Sequence, residues 1–251
     1  MTSDRTVDER ADRAPRPHTR RTADGRRLAQ VTSYVRRGNR LSPRQQEVWQ
    51  RRHGDWWVAD EAVDDPGFHV PSLFDRPEAP LVVEIGSGNG EATAALAARY
   101  PELNILAFEV WHPGIAQTFL ELERTGADNV RVIGVDAVWS LTHLVAPASV
   151  HELWTFFPDP WPKTRHHRRR LVAPEFARVA ASRLEPGGLW RLATDWPEYA
   201  AVMREVLGAE PLLSNVHGGD APRWQERPVT RFERKGHEAG RPVVDLTFRR
   251  V

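Results

Sequence analysis

Asp159 stands between two prolines in the run Phe156-Phe157-Pro158-Asp159-Pro160-Trp161-Pro162-Lys163, and the chain continues through Thr164-Arg165-His166-His167-Arg168-Arg169-Arg170 without another acid. Proline holds its own φ at about −65° and steers the preceding residue away from helix, so Phe157 and Asp159 should lie on a stiff, extended loop. A carboxylate fixed in this way beside Lys163, Arg165, Arg168, Arg169 and Arg170 pairs an aimed acid with a strip suited to phosphates. That pairing suggests chemistry on a nucleic acid, with Asp159 as the candidate catalytic group. The blander reading of the cationic run is a solvated helix face. His166 and His167 are adjacent and lack the i, i+4 spacing of a helical zinc pair, so no metal is expected. Lys163 is one of only two lysines in the chain, the other being Lys235, which suggests a site that wants a compact ammonium.

A second constellation lies upstream. Gly86-Ser87-Gly88-Asn89-Gly90 follows the apolar run Leu81-Val82-Val83-Glu84-Ile85 and precedes the helix formers Ala94, Leu96, Ala97 and Ala98. Glycines between a strand and a helix allow a tight turn and a close approach of ligand to backbone, which marks Gly86, Gly88 and Gly90 as cofactor-binding candidates. A dinucleotide fingerprint would carry its third glycine where Glu91 stands, and a phosphate loop would need Gly-Lys-Ser/Thr. Glu84, two residues before the first glycine, would repel a phosphate and attract a cationic sulfonium ligand. Glu109 ends the second strand, where a carboxylate can accept ribose hydroxyls, and Asp136 ends the third. Strand ends on one edge of a parallel sheet converge on its crevice, so the three acids and the glycines together describe a pocket for S-adenosylmethionine. Taken singly, each acid reads equally well as a solvated strand end or a helix cap, and the glycines as a plain turn.

The elements that must position these residues alternate. Runs at 81–85, 103–108, 130–135, 153–157 and 189–193 have strand character, with helical stretches following Ala94, at 115–123 and at 199–207. Pro186-Gly187-Gly188 breaks the chain before the strand at 189. Residues 243–248 alternate and should close the sheet as a late antiparallel edge strand. The pattern predicts an α/β fold, a mostly parallel sheet with helices on both faces. Residues 80–251 form the catalytic domain. Residues 31–79 supply a helix near 43–53, capped by Ser42 with Pro43 at its first position, then a connection from 55 to 80 wrapped on the surface. Residues 1–30 read as a disordered basic tail, and residues 1–55 hold fourteen arginines against seven acids although the net charge is only +1. The chain has 251 residues, 40% hydrophobic content and no cysteine, which is ample for one core and excludes disulfides and thiolate metal sites. No apolar stretch reaches membrane-spanning length and the amino terminus is charged, so a soluble, cytoplasmic protein without membrane association or an obligatory protein partner is expected.

Over residues 80–250 the chain strongly resembles the tRNA (guanine-N7)-methyltransferase family. The matching words are Glu84-Ile85-Gly86-Ser87-Gly88-Asn89-Gly90, the proline motif at 157–163 with its basic continuation to Leu171, Ala193-Thr194-Asp195-Trp196, and Thr230-Arg231-Phe232-Glu233-Arg234-Lys235-Gly236-His237. The resemblance implies a Rossmann-like methyltransferase fold, S-adenosylmethionine as methyl donor, tRNA as partner, and transfer to N7 of a guanosine, usually in the variable loop. It implies that Glu84, Glu109, Asp136 and Asp159 contact the donor, with Asp159 also the active-site acid. Lys163, Asp195, Thr230, Arg231, Phe232 and Glu233 would touch the guanosine, and Arg165, His166, His167, Arg168, Arg169 and Arg170 the RNA. Thr164 and Arg231 depart from the family pattern in ways that bear on RNA affinity rather than on the chemistry.

Guanine N7 carries an in-plane lone pair and needs no deprotonation, so the reaction asks mainly for alignment. Asp159 either favours the movement of positive charge from sulfur to purine or accepts hydrogen bonds from the guanine N1–H and amino group. Phe157, Trp161, Trp196 and Phe232 are stacking candidates, although Phe156 and Phe157 are expected in the core and Trp161 fits either role. The plainer reading of Asp195 is as the cap of the helix after Pro197. Two other classes remain as alternatives: a non-catalytic tRNA-binding protein that retains the fold, and a nicotinamide-dependent oxidoreductase, which Glu91 disfavours.

Overall fold

The computed structural model describes Ser33 and residues 38–251, so the expected tail at 1–30 lies outside the described residues. Helix α1 (Pro43–Trp56) opens on a reciprocal cap: Ser42 Oγ accepts from the Gln45 N–H, and Gln45 Oε1 accepts from the Ser42 N–H. It runs a turn beyond the expected end because Val48 and Trp56 are buried against α4 (His112–Thr125), where Arg51 also pairs with Glu123. The segment after it is not a surface wrap. It forms α2 (Asp60–Asp64) and a 3₁₀ turn (Val70–Leu73), and Val58, Val63, Phe68, Val70 and Phe74 all enter the core. Their irregular spacing among prolines and acids hid this from a search for period.

From Leu81 onward strand and helix alternate. β1 (Leu81–Ile85), α3 (Glu91–Arg99), β2 (Asn104–Phe108), α4, β3 (Val130–Ile133), α5 (Ala137–His143), β4 (Val150–Phe156), α6 (Pro174–Arg183), β5 (Leu184–Thr194) and α7 (Pro197–Gly208) are followed by β6 (Leu213–Asn215), α8 (Arg231–Glu238) and β7 (Val244–Arg250). The sheet order is β3-β2-β1-β4-β5-β7-β6, and β1 to β5 are mutually parallel. This is the Rossmann-like arrangement expected, with the direction of winding reversing between β1 and β4 and a crevice opening there. The late antiparallel strand is present, but it sits one place in from the rim, because three-residue β6 adds outside it.

β1 and β2 are buried at every position, which is why they read as nearly continuous apolar runs, broken only by Glu84 and Asn104, rather than alternating ones. The pleat divides their side chains between two cores: Val83 and Ile85 pack with Leu153, Trp190 and Tyr199, while Val82 packs with Leu96, Phe119 and Trp154. Pro186-Gly187-Gly188 does not precede a strand but bends one. Gly187 has φ +85°, the pairing with β4 shifts between Val150 and Glu152, and a Cβ on Gly188 would lie 2.9 Å from the Glu185 carbonyl oxygen. Beyond β3, Trp57 adds one further parallel rung opposite Val132, and the Val58 N–H donates to the Val132 carbonyl at 3.0 Å.

Candidate active site

The glycine loop leaves β1 with the Gly86 N–H donating to the Phe108 carbonyl at 2.8 Å, which ties it to the end of β2. Gly86, Gly88 and Gly90 all have positive φ, at +76°, +59° and +74°. Their uses differ. A Cβ on Gly86 or Gly88 would meet nothing within 4 Å, and both border a cavity of about 490 Å³. A Cβ on Gly90 would fall 2.6 Å from the Thr118 Cα, so this glycine lets α3 and α4 approach each other and does not border the cavity.

Three acids, one in β1 and the others just beyond the ends of β2 and β3, reach this crevice by different means. Glu84 is buried, and Thr93 Oγ1–H donates to its Oε2 at 2.5 Å. Burial pushes its carboxyl up to about 7, the hydroxyl pulls the other way, and neighbouring Glu109 adds to the rise. Glu109 holds the loop: its Oε2 accepts from the Gly88 N–H at 2.8 Å and its Oε1 from the Trp111 N–H at 2.7 Å. Asp136 is the N-cap of α5, accepting from the Val138 and Trp139 N–H groups at 3.0 and 3.1 Å, so it is a helix cap that also borders the cavity. Ser87 Oγ, in the same wall, is buried without a hydrogen-bond partner among the described residues.

The proline loop forms the opposite wall. Phe157 has φ +53° and Trp161 φ +45°, a left-handed backbone where pre-proline geometry predicted Phe157 to be extended. The Phe157 N–H donates to the Ala193 carbonyl at 2.7 Å, which holds the strained residue against β5 and sets Asp159 on the cavity wall. Phe157 is not simply core: its ring lies 5.2 Å from that of Phe232, and both border the cavity. Phe156 packs with Trp154 and Trp224. Trp161 is buried, its Nε1–H donates to the Ser33 carbonyl at 2.9 Å, and the Arg169 guanidinium lies 3.5 Å from its ring centre. Both Trp161 and Trp196 are thus placed, but only Trp196 borders the cavity.

The cationic run is a 3₁₀ turn (Thr164–Arg169) rather than a helix face. Lys163, Arg165 and Arg168 are exposed, and His166, His167 and Arg169 are half-buried. Arg170 departs from the strip. Its side chain is 4% exposed, it donates to both Glu198 oxygens at 2.9 Å and to the Pro160 carbonyl at 2.8 Å, and it lies over the Tyr199 ring. The Arg170 hydrogen bonds hold Glu198 down at about 2 despite opposing desolvation, and burial pushes Tyr199 up to about 12. Arg170 therefore braces the loop from below.

The remaining candidates divide similarly. Asp195 is buried on the cavity wall, where its Oδ2 accepts from Arg241 Nε at 2.6 Å; α7 is N-capped by Trp196 without a side-chain bond, so Asp195 is not its cap. Thr230 caps α8 through the Glu233 N–H at 3.2 Å, and Thr230 and Phe232 border the cavity. The Arg231 N–H donates to Glu91 at 2.6 Å while its side chain is exposed. Glu233 is fully buried behind the wall, gripped by Arg223 and by Arg227 at 2.8 Å. Arg227 is itself buried, donates also to Asp245, and lies against the rings of Phe156 and Phe157.

A family model described as "Putative methyltransferase" matches residues 78–246. A tRNA (guanine-N(7)-)-methyltransferase of Nocardioides sp. (strain ATCC BAA-499 / JS614) is 58% identical over 95% of this chain and 94% of that protein. One from Cutibacterium acnes is 52% identical over 88% of this chain and 83% of that protein. The chain belongs to the tRNA (guanine-N7)-methyltransferase family. Among solved structures, an rRNA methylase from Streptococcus thermophilus is similar at a TM-score of 0.46 and 18% identity, covering 72% of this chain and 92% of that one.

Six carboxylates, Glu84, Glu91, Glu109, Asp136, Asp159 and Asp195, and two arginines, Arg227 and Arg241, border the cavity of this methyltransferase. The two arginines carry no signal in the sequence. Both lie in stretches without period, and their acidic partners Glu233, Asp245 and Asp195 are fixed only by the fold. Ser87 could have been found, since it stands inside the glycine motif.

Proposed function

We propose that this methyltransferase transfers the methyl group of S-adenosylmethionine to N7 of a guanosine in tRNA, the variable-loop guanosine being the target. The observation that carries the reading is the meeting, at the sheet's switch point, of a buried carboxylate, an open glycine backbone and the Asp159 loop around one cavity. The donor set fits the methyl donor: Glu84 suits a cation, Ser87 Oγ has an unused hydrogen bond to give, and Glu109 and Asp136 stand at strand ends facing the same space. Gly86 and Gly88 offer bare backbone to it. When bound, S-adenosylmethionine supplies an electrophilic methyl group on a sulfonium sulfur.

The chain's own residues align and stabilise. Asp159 faces the acceptor base, where a fixed negative charge favours the positive charge that the purine gains, and where it can also accept from N1–H and the amino group. Asp195, held by Arg241, and Thr230 complete the base's polar surroundings, with Phe157, Trp196 and Phe232 as apolar walls. An exposed base leaves its stack at a cost of a few kcal/mol, about what such walls can return. Lys163, Arg165, His166, His167, Arg168 and Arg169 hold the RNA backbone. Arg170 and Glu233 act one layer back, as braces. No helix among the described residues is long and apolar enough to cross a membrane, and the proposed place of work is the cytoplasm, with tRNA as partner.

Purified protein incubated with unmodified tRNA and methyl-labelled donor should yield label that maps to one guanosine by borohydride reduction and aniline cleavage, which cut at N7-methylguanosine. Binding of tRNA without transfer would convert the reading to that of a non-catalytic binder.

A further inference from the structure

The methyltransferase reading leaves the exposed face of α8 without a role. Glu233 and Gly236 are its buried positions, and Arg231, Arg234 and Lys235, spaced i, i+3, i+4, lie together on the opposite side, all exposed. The fold pairs some surface arginines with acids, as in Arg51 with Glu123, Arg124 with Glu121 and Arg204 with Asp220, and leaves others, such as Arg178 and Arg249, without an ion pair among the described residues. On α8 three cations share one face in this state: among the described residues no carboxylate pairs with the side chain of Arg231, Arg234 or Lys235, and Arg234 donates to the Val229 carbonyl. Glu91 takes the Arg231 backbone N–H and Glu226 pairs with Arg99, while Glu238 stands one turn beyond Arg234 and Lys235 on the same face without forming an ion pair with either, so the face keeps a net positive charge.

The first turn of this helix is also the cavity's rim. Thr230 and Phe232 border the cavity, and the Phe232 ring, 50% exposed, packs against Phe157 of the catalytic loop. Two cationic elements therefore adjoin the cavity: α8, whose first turn borders it, and the turn carrying the exposed Lys163, Arg165 and Arg168, which follows closely on the cavity-lining residues 156–160. A single-stranded segment entering the cavity would pass between them, its bases meeting an exposed aromatic and its phosphates meeting cations on either hand.

We infer that α8 is a second phosphate-binding rail for the tRNA, with Arg234 and Lys235 as its ionic contacts, opposite the strip at 163–169. The inference rests on the tRNA methyltransferase reading and adds to it a surface distinct from the proline motif's basic run.

The test uses the full-length enzyme, an unmodified tRNA transcript, and the demethylated donor product as a reporter of the donor pocket. Arg234→Ala/Lys235→Ala should weaken tRNA binding about tenfold near physiological salt and lower the slope of log affinity against log salt by about 1 to 2, while affinity for the donor product stays within twofold. The transfer rate at saturating tRNA should also hold within a few-fold. Combining this variant with Arg165→Ala/Arg168→Ala should add the two slope changes. A variant with wild-type tRNA affinity and slope overturns the rail; so does a weakened variant whose slope is unchanged, or one that also loses the donor product. Failure of the wild-type enzyme to methylate tRNA would instead remove the functional reading beneath it.

Discussion

Glu84 carries the donor site's response to pH. Its carboxyl sits at about 7 because burial outweighs the Thr93 hydrogen bond, against an ordinary carboxylate value near 4.5. The folded, donor-free chain therefore keeps a proton that the unfolded chain has lost, and this contribution to stability is full below 4.5 and gone once pH passes 7. Glu84→Gln has nothing to titrate, so its stability relative to wild type should rise by on the order of 3 kcal/mol between pH 4.5 and 8, read from urea midpoints. A cationic ligand reverses the preference. Donor affinity should climb with pH up to about 7 and level off above it, and binding below pH 7 should release a proton, measurable by calorimetry in buffers of different ionisation enthalpy. For Asp159 the expectation concerns rate: Asp159→Ala should lower transfer by about 100- to 1000-fold with tRNA affinity nearly intact, as filter binding and single-turnover assays would report.

At the scale of elements, the proline loop depends on what lies beneath it. The sequence places Arg170 in the phosphate strip because it carries no sign of burial, yet the guanidinium ends on Glu198, twenty-eight residues away, and on the loop's own Pro160. Arg170→Ala should lower the melting temperature and the transfer rate while leaving the salt slope of tRNA binding unchanged, opposite to the behaviour expected of Arg165 and Arg168. The brace is present above the ordinary carboxylate range and lost as pH falls toward about 2, with its effect reduced because Glu198 is half exposed. Glycines show the same limit of legibility. Gly86-Ser87-Gly88-Asn89-Gly90 announced a turn, but the separation of Gly90 from the other two follows from Thr118 on α4. Gly114 drew no notice in the sequence, yet a Cβ there would lie 2.4 Å from the Gly88 carbonyl oxygen. Gly114→Ala should push the loop and weaken donor binding about tenfold or more, a change that titration with the demethylated donor product would measure.

Across the whole molecule, what was legible is what local chemistry dictates: the strands of the parallel sheet as apolar runs, α1 from its cap, and the acids at strand ends. Residues 57–74 were not, because their apolar side chains enter the core without any helical or strand period, and neither was β6, three residues long. Helix α1 is integral to the larger body. Trp56 is buried against Phe119 of α4, and Trp56→Ala should cost about 3 to 5 kcal/mol in chemical denaturation, a loss too large for an appended tail. The rung that Trp57 and Val58 add outside β3 has a further effect. An outermost strand with bare amides is a template on which strands of other copies can grow into aggregates, and this short stretch of backbone occupies the place where such growth would begin, as the brevity of β6 limits it at the opposite border. Both borders of the sheet thereby offer little bare backbone to a second copy of the chain.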